Sequence, residues 1–219
     1  MNNPPPIVSL RDVTHTYSSG ITALQGITFD IAPGSCVLVT GHSGAGKSSL
    51  LRLIRGDIKP TGGDILVHDF ALNDFTSDDR LLLKQSTGYI DQDPQFLGSL
   101  TVKENLLFFA EMSSLPRPDI KNLLERVNMG FAVDMYPSEL SRGQRQIIQA
   151  LRAVLHKPFL LVADEPIAHL DESFVQVVMQ LFRELQNAGT TLLVATHRID
   201  PFTAFPHRMH IQLNKGQMV

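Results

Sequence analysis

Residues 41–48 have the sequence GHSGAGKS and match the pattern G-x-x-x-x-G-K-S/T in full. An apolar run precedes them and a leucine-rich segment follows, so they would connect a buried strand to a helix. Backbone N–H groups at such a helix start converge on an anion, and glycines let the chain wrap closely around it. Lys47 would reach the outer phosphates of a nucleotide, and the Ser48 hydroxyl would ligate Mg²⁺. This pattern favours a phosphate-binding loop over a chance glycine turn.

Two adjacent carboxylates, Asp164 and Glu165, end the apolar run in the sequence FLLVADEP. Asp164 would hold Mg²⁺ from the side opposite the loop, and Glu165 would orient or deprotonate a water molecule. Such a pair could also lie in an ordinary solvated loop. Because the chain already contains a phosphate loop, we interpret the pair as catalytic.

A third element begins at Ser141, which forms the pattern of a capping box with Gln144 three residues later. The apolar residues that follow recur on one face of a helix, and they are Ile147, Ile148, Leu151, Val154 and Leu155. The simpler interpretation is a well-capped amphipathic helix. The alternative is a second anion site, since the helix start presents free N–H groups.

The elements that would position these residues indicate an α/β fold. Residues 36–40, 159–163 and 191–195 are short, continuously apolar runs, typical of strands buried on both faces of a parallel sheet. Residues 7–17 and 27–31 alternate apolar and polar side chains, as antiparallel strands with one solvated face do. Helices are predicted at residues 48–55, closed by Gly56, and 174–186, with a strand, turn and return strand at residues 208–219.

Residues 93–155 have an almost wholly helical pattern between two halves of the parallel-sheet pattern. The sequence therefore predicts a single domain with a P-loop NTPase core built from residues 1–92 and 156–219. An antiparallel β patch would lie near the N-terminus, and residues 93–155 would form an inserted helical lobe.

Charge and composition narrow the function classes. The formal net charge is −3, which weighs against a nucleic-acid partner, since phosphate binding by nucleic-acid-binding proteins normally needs a basic excess. The single cysteine, Cys36, lies in an apolar run and predicts a buried thiol in a reducing compartment. No secretory signal and no apolar run of ~20 residues is present, so we expect a soluble, cytoplasmic protein that reaches a membrane only through a partner.

The order of these motifs resembles that of the nucleotide-binding subunits of ATP-binding cassette (ABC) proteins, over nearly the whole chain. The resemblance implies that Tyr17 stacks on adenine, that Gln92 contacts and senses Mg²⁺, and that His197 acts with Glu165 in catalysis. It implies magnesium ligation by Ser48, Gln92 and Asp164. The implied nucleotide-binding residues are Tyr17, Gly41, His42, Ser43, Gly44, Ala45, Gly46, Lys47, Ser48, Ser49, Gln92, Ser141, Gly143 and Gln144.

The resemblance also implies a mechanism. Two subunits would face head to tail as an ATP-dependent homodimer, with each ATP held between the phosphate loop of one chain and the Ser141 segment of the other. Hydrolysis would release the clamp, and the helical lobe would pass the motion to an integral membrane subunit. The chain would thus lie on the inner face of the cell membrane.

Within the family, the short length and the sequence GHSGAGKSSLLRLI resemble the FtsE group of cell-division ATPases most, which implies an FtsX-like membrane subunit. An exporter ATPase of the LolD or MacB type, with an exporter permease, and a soluble ABC ATPase remain alternatives. A small-molecule kinase and a non-hydrolysing scaffold are rival classes. The pattern departs from the family at Asp91, Arg142, Ile167 and His169, but Lys47, Asp164, Glu165 and His197 are present, so we expect an active ATPase.

Two further expectations concern surfaces. Arg142 would be the first residue of the capped helix, and its side chain would point either to solvent, which we favour, or to the γ-phosphate of the partner chain's nucleotide. A membrane partner would dock beside Gln92 through Phe96, Leu97 and Leu100, unless these three side chains pack inside the helical lobe.

Overall fold

The computed structural model describes residues 4–219. The helices are α1 (Lys47–Ile54), α2 (Ser77–Ser86), α3 (Val102–Met112), α4 (Ile120–Arg126), α5 (Arg142–Val154) and α6 (Glu172–Asn187). The strands are β1 (Val8–Thr16), β2 (Thr22–Ile31), β3 (Cys36–Thr40), β4 (Gly62–Val67), β5 (Phe70–Ala71), β6 (Thr87–Ile90), β7 (Leu160–Asp164), β8 (Thr191–Ala195), β9 (Arg208–Asn214) and β10 (Gln217–Met218). Short 3-10 turns lie at Gly130–Ala132, Pro137–Glu139 and Asp200–Phe202.

A six-stranded sheet forms the centre of the molecule, in the order β10-β9-β3-β8-β7-β6. All neighbouring pairs are parallel except β10 with β9. Strands β3, β7 and β8 are buried along almost their whole length, because helices cover both faces of a parallel sheet. Cys36 lies fully buried at the start of β3, and burial raises the pKa of its thiol to about 12.

A four-stranded antiparallel sheet, in the order β2-β1-β4-β5, contains the N-terminal strands. Val8 and Leu10 of β1 face the core, as the alternating pattern predicts, and a register shift between Leu10 and Val13 brings Val13 to the same face. Strand β2 begins at Thr22, five residues before the predicted start of 27. The alternation is interrupted there, because the register with β1 shifts between Leu24 and Ile27 and Gly26 adopts a φ of 63°.

Helices α3, α4 and α5 lie within residues 93–155, where the described structure has no strand. Their apolar side chains share one core with α6 and with one face of the parallel sheet. The other face packs against α1 and the antiparallel sheet. The predicted combination of a parallel sheet, an antiparallel β patch and a helical insertion is confirmed as a fold class.

The parallel arrangement decides where the polar motifs meet. Strands β3, β6, β7 and β8 point the same way, so their carboxyl ends lie at one edge of the sheet. Ligand sites of open α/β sheets form at this edge. The segments that leave these strands are residues 41–48, 91–92, 165–166 and 196–197.

Candidate functional site

Two glycines of the loop at residues 41–48 are required by close packing. Gly46 is the N-cap of α1 with a φ of 106°, and a Cβ there would lie 2.6 Å from the Ala23 carbonyl oxygen. At Gly41, with a φ of 150°, a Cβ would lie 2.3 Å from the Leu213 carbonyl oxygen. Both close approaches exclude any other residue. The loop is thus pinned between β2 and β9 in front of the start of α1.

Lys47 lies across the same loop. Its Nζ donates to the carbonyl oxygens of Gly41 at 2.7 Å and His42 at 3.2 Å. The ammonium charge therefore lies over the loop at the N-terminus of α1, where the helix dipole also favours an anion. The loop fits a phosphate by its charge and by its backbone shape.

The carboxylates lie beside this loop. Asp164 is the last residue of β7, and burial raises the pKa of its carboxyl, which the neighbouring Glu165 charge raises further. A hydrogen bond from Ser48 and the charge of Lys47 act in the opposite direction. Among the described residues, no group of three or more His, Cys, Asp or Glu side chains could hold a metal alone. Mg²⁺ typically takes one or two carboxylates plus phosphate oxygens, so Asp164 and Ser48 fit that role.

Glu165 has an uncommon backbone conformation and a specific partner. Its φ is 50°, a left-handed value that costs a non-glycine residue energy and often marks functional positions. Its N–H donates to the Ala195 carbonyl at 2.8 Å, which ties the end of β7 to β8. The His197 Nδ1 lies 2.9 Å from Glu165 Oε2, and the Glu165 side chain is only 12% exposed. The carboxylate is thus held in one orientation at the edge of the cavity.

A cavity of about 640 Å³ collects most of the predicted site residues. The predicted residues that line it are Tyr17, Gly41, His42, Ser43, Gly44, Gly46, Lys47, Ser48, Ser49, Gln92, Asp164, Glu165 and His197. Ala45 does not line it, because its side chain is buried beneath the loop. Ile21, Thr22 and Ala23 also line the cavity, and sequence reasoning missed them. Their position close after Tyr17 in the chain was the sequence signal that could have indicated them.

Tyr17 reaches the phosphate loop from the antiparallel sheet. Its hydroxyl is 2.9 Å from Ser49 Oγ, and its ring meets the His15 ring edge-on with centroids 4.6 Å apart. Tyr17 therefore lines the cavity next to the phosphate loop. Stacking on adenine stays a prediction.

The start of α5 forms a separate surface. Ser141 is the N-cap, its Oγ accepts from the Gln144 N–H at 3.2 Å, and its own N–H donates to Gln144 Oε1 at 2.8 Å. The capping box is confirmed. Gly143 lies against the segment after β7, where a Cβ would meet Leu170 Cδ2 at 3.3 Å. None of Ser141, Gly143 and Gln144 is among the residues that line the cavity.

The four departures from the family pattern have distinct environments. Arg142 is the first residue of α5, as predicted, and is 45% exposed, with its guanidinium donating to Asp93 Oδ1 at 2.9 Å. Asp91 forms an ion pair with Arg55. Ile167 is fully buried in the core, and His169 has a φ of 63°.

The ABC transporter family matches residues 24–168. The cell division ATP-binding protein FtsE of Streptococcus pneumoniae is 35% identical over 97% of this chain and 94% of its own length. FtsE of Escherichia coli K12 is 33% identical over 97% of both chains. A dimeric, post-hydrolysis structure of the ATP-binding cassette MJ0796, bound to ADP and Pi, superposes with a TM-score of 0.86 at 29% identity over 96% of both chains.

The chain belongs to the ABC transporter family. It is an ATP-binding subunit of the ABC class and an ATPase, and it resembles FtsE along almost its whole length. Within residues 4–219, none of the helices combines the length and the apolar character that crossing a membrane requires.

Proposed function

We propose that the protein binds ATP with Mg²⁺, closes head to tail with a second copy on that ATP, and couples hydrolysis to a membrane subunit of an FtsE-like cell-division complex. One observation supports this head-to-tail dimer, the clamp. The phosphate loop and the catalytic carboxylates line the cavity, whereas the capped start of α5 lies outside it. A helix start with free N–H groups can bind an anion, but the start of α5 does not face the nucleotide cavity of its own chain. A second copy would supply that anion.

The proposed chemistry assigns one task to each residue of the cavity. The loop N–H groups and Lys47 hold the phosphates. Ser48, Asp164 and Gln92 would hold the metal ion, which when bound neutralises charge on the outer phosphates. Glu165 accepts the proton of the attacking water, and His197 keeps the Glu165 carboxylate in place at 2.9 Å.

A groove that shares no lining residue with the cavity supports the proposed membrane partner. It has a volume of about 300 Å³ between α2, α3 and the end of α5. Leu81, Phe108 and Met112 are exposed there. Its lining includes Arg55, Lys84 and Arg152, and no acidic residue of the described chain. Arg55 and Lys84 are both paired with Asp57, so the apolar side chains carry the assignment. They suit the apolar face of a short amphipathic helix, and we assign the groove to a cytoplasmic segment of an FtsX-like membrane subunit.

The three apolar residues predicted for that contact differ in exposure. Phe96 packs against the core beneath the Arg152 guanidinium, 5.4 Å from its ring centroid, which favours a structural role. Leu100 is partly buried, whereas Leu97 is 42% exposed. We therefore keep Leu97 as a docking residue beside Gln92, so the proposed docking surface comprises the groove and, outside its lining, Leu97. We also keep the division into a core of residues 1–92 and 156–219 and a helical lobe of residues 93–155, as the two bodies that such a partner would move.

The Glu165→Gln variant tests the clamp. Removing the proton acceptor should stop hydrolysis while leaving the phosphate contacts intact, so the variant should accumulate as a dimer with Mg²⁺ and ATP. Size-exclusion chromatography with light scattering measures this, and Lys47→Ala, which loses the phosphate contact, is the control that should stay monomeric. A Glu165→Gln protein that binds ATP but remains monomeric at high concentration contradicts the clamp.

A further inference from the structure

The residue before Gln92 is held by its side chain. Strand β6 ends at Ile90, so Asp91 and Gln92 are the first two residues beyond the sheet. The Arg55 guanidinium pairs with the Asp91 carboxylate. Arg55 is itself fixed, because its Nε lies 2.9 Å from Asp57 Oδ2 and its guanidinium stacks 4.3 Å from the Tyr89 ring centroid. Arg55, which holds the Asp91 side chain, therefore lies directly after the last turn of α1, the helix that begins at Lys47.

Asp91 is also held by its backbone. Gln149 of α5 is fully buried, and its side-chain amide faces the Asp91 peptide groups. With the amide nitrogen toward the Asp91 carbonyl and the amide oxygen toward the Asp91 N–H, the two distances are 3.0 and 2.9 Å. The reverse orientation would place acceptor against acceptor and donor against donor, so this one is correct. Gln149 thus pairs with both backbone groups of Asp91.

Two more residues on the same face of α5 contact the same segment. Arg142 and Arg152 lie seven positions before and three after Gln149, which places all three on one helix face. Arg142 donates to Asp93 at 2.9 Å, and Arg152 donates to the Gln95 carbonyl at 2.6 Å. Residues 91–95 are therefore attached along α5 at three points.

We propose that Gln149 and Arg55 are positioning residues that set the place of Gln92 through Asp91. The α1 helix carries the phosphate-loop residues Lys47 and Ser48 at its start, and α5 starts at the capped segment proposed to serve the second nucleotide. Arg55 at the end of α1 contacts the Asp91 side chain, and Gln149 of α5 contacts the Asp91 backbone. A displacement of either helix is therefore transmitted to the Gln92 backbone. This inference rests on the proposed contact between Gln92 and Mg²⁺.

The test uses Gln149→Met, which keeps the side-chain length and removes both hydrogen bonds. The matched control is Gln146→Met on the same helix, because Gln146 is also buried but its side-chain nitrogen has no hydrogen-bond partner. Titration calorimetry with a non-hydrolysable ATP analogue, with Mg²⁺ and with EDTA, measures how much the metal tightens nucleotide binding. We expect the Mg²⁺-dependent gain to fall about tenfold in Gln149→Met, as for loss of an outer-shell contact, and to be unchanged in Gln146→Met. Affinity in EDTA should stay the same in both.

A second variant keeps the proposal testable if Gln149→Met fails to fold. Asp91→Ala removes a partly exposed carboxylate and leaves Arg55 its pair with Asp57, so it should fold, and we expect a loss of about threefold in the Mg²⁺-dependent gain. The proposal is overturned if Gln149→Met stays within twofold of Gln146→Met or, should it fail to fold, if Asp91→Ala is unchanged. Gln92→Ala distinguishes a failure of the positioning role from a failure of the magnesium role of Gln92. If it lowers the gain while Gln149→Met and Asp91→Ala do not, only the positioning role fails; if it has no effect, the magnesium role of Gln92 fails as well.

Discussion

Arg142 is the first residue of α5, the helix whose start is proposed to serve a second subunit's nucleotide, and its replacement by glycine measures what the side chain does there. In the single chain the guanidinium makes one ion pair, with Asp93 at 2.9 Å. The two side chains are 45% and 77% exposed. The perturbation therefore removes a solvated contact and leaves the capping box of Ser141 and Gln144 in place.

The magnitude follows from this exposure. Exposed ion pairs contribute about 0.2–1 kcal/mol, because water screens them and two flexible side chains must be ordered. An energy of ~1 kcal/mol corresponds to about a fivefold change in an equilibrium constant. Arg142→Gly should therefore change the ATP-driven dimerisation constant less than about fivefold. A charge-assisted contact with the partner's phosphate would contribute ~1.5–3 kcal/mol, so its loss would exceed tenfold.

The assay is analytical ultracentrifugation at low salt with Mg²⁺ and ATP, in a Glu165→Gln background that does not turn over. Arg142→Gln is the companion variant, since it removes the charge without adding a glycine to the helix start. Asp93→Asn gives a second, independent measure, because it frees Arg142 from its partner. If Arg142 stays in solvent, Asp93→Asn leaves the dimer constant nearly unchanged.

The reasoning is refuted if either Arg142 variant weakens the dimer more than tenfold and Asp93→Asn strengthens it. That pair of results would make Arg142 a phosphate ligand across the dimer, with Asp93 as its competitor in the single chain.

Two other predictions concern the docking groove and acid stability. Leu97→Glu and Phe108→Glu should abolish recruitment to membranes that contain the partner subunit while soluble ATPase activity persists. The control is Phe131→Glu, which is exposed at a different place and should be recruited normally. Equal loss of recruitment in all three variants would contradict the assigned surface. Burial lowers the pKa of His156, whose Nε2 lies 3.1 Å from the Thr87 carbonyl oxygen, so the unfolded state takes up a proton at a higher pH than the folded state does. The free energy of unfolding should then decrease as the pH falls below the ordinary histidine pKa of ~6.5, and His156→Gln should flatten that slope in urea titrations at pH 5 and pH 8. An identical slope in both proteins would show that His156 is not the group responsible.

Local features of the fold could be predicted from the sequence because they depend on neighbouring residues. The phosphate loop, the buried strands β3, β7 and β8 and the capping box of Ser141 all arise from spacing or periodicity within about ten residues. The start of β2 at Thr22 was not predicted, because a register shift around Gly26 breaks the alternation on which strand prediction rests.

Contacts between distant residues were not available in this way. In the sequence Gln149 is one of several glutamines of an amphipathic helix, and only packing shows that it is buried against the Asp91 backbone. The Arg55–Asp91 pair joins residues 36 positions apart, and the partner of Arg142 proved to be Asp93. No local pattern marks such pairs, since each depends on how helices sit against the sheet.

The sequence by itself determined the candidate residues for the chemistry of this protein, because the patterns of a phosphate loop and a carboxylate pair are defined by side-chain type and spacing along the chain. The tertiary structure decided that they form one site. Strand order places the ends of β3, β6, β7 and β8 at one sheet edge, which gathers Lys47, Gln92, Glu165 and His197 around one cavity and leaves the start of α5 outside it. The physical reason is that strand order follows from the burial of all apolar faces together, a property of the whole chain that no single segment contains.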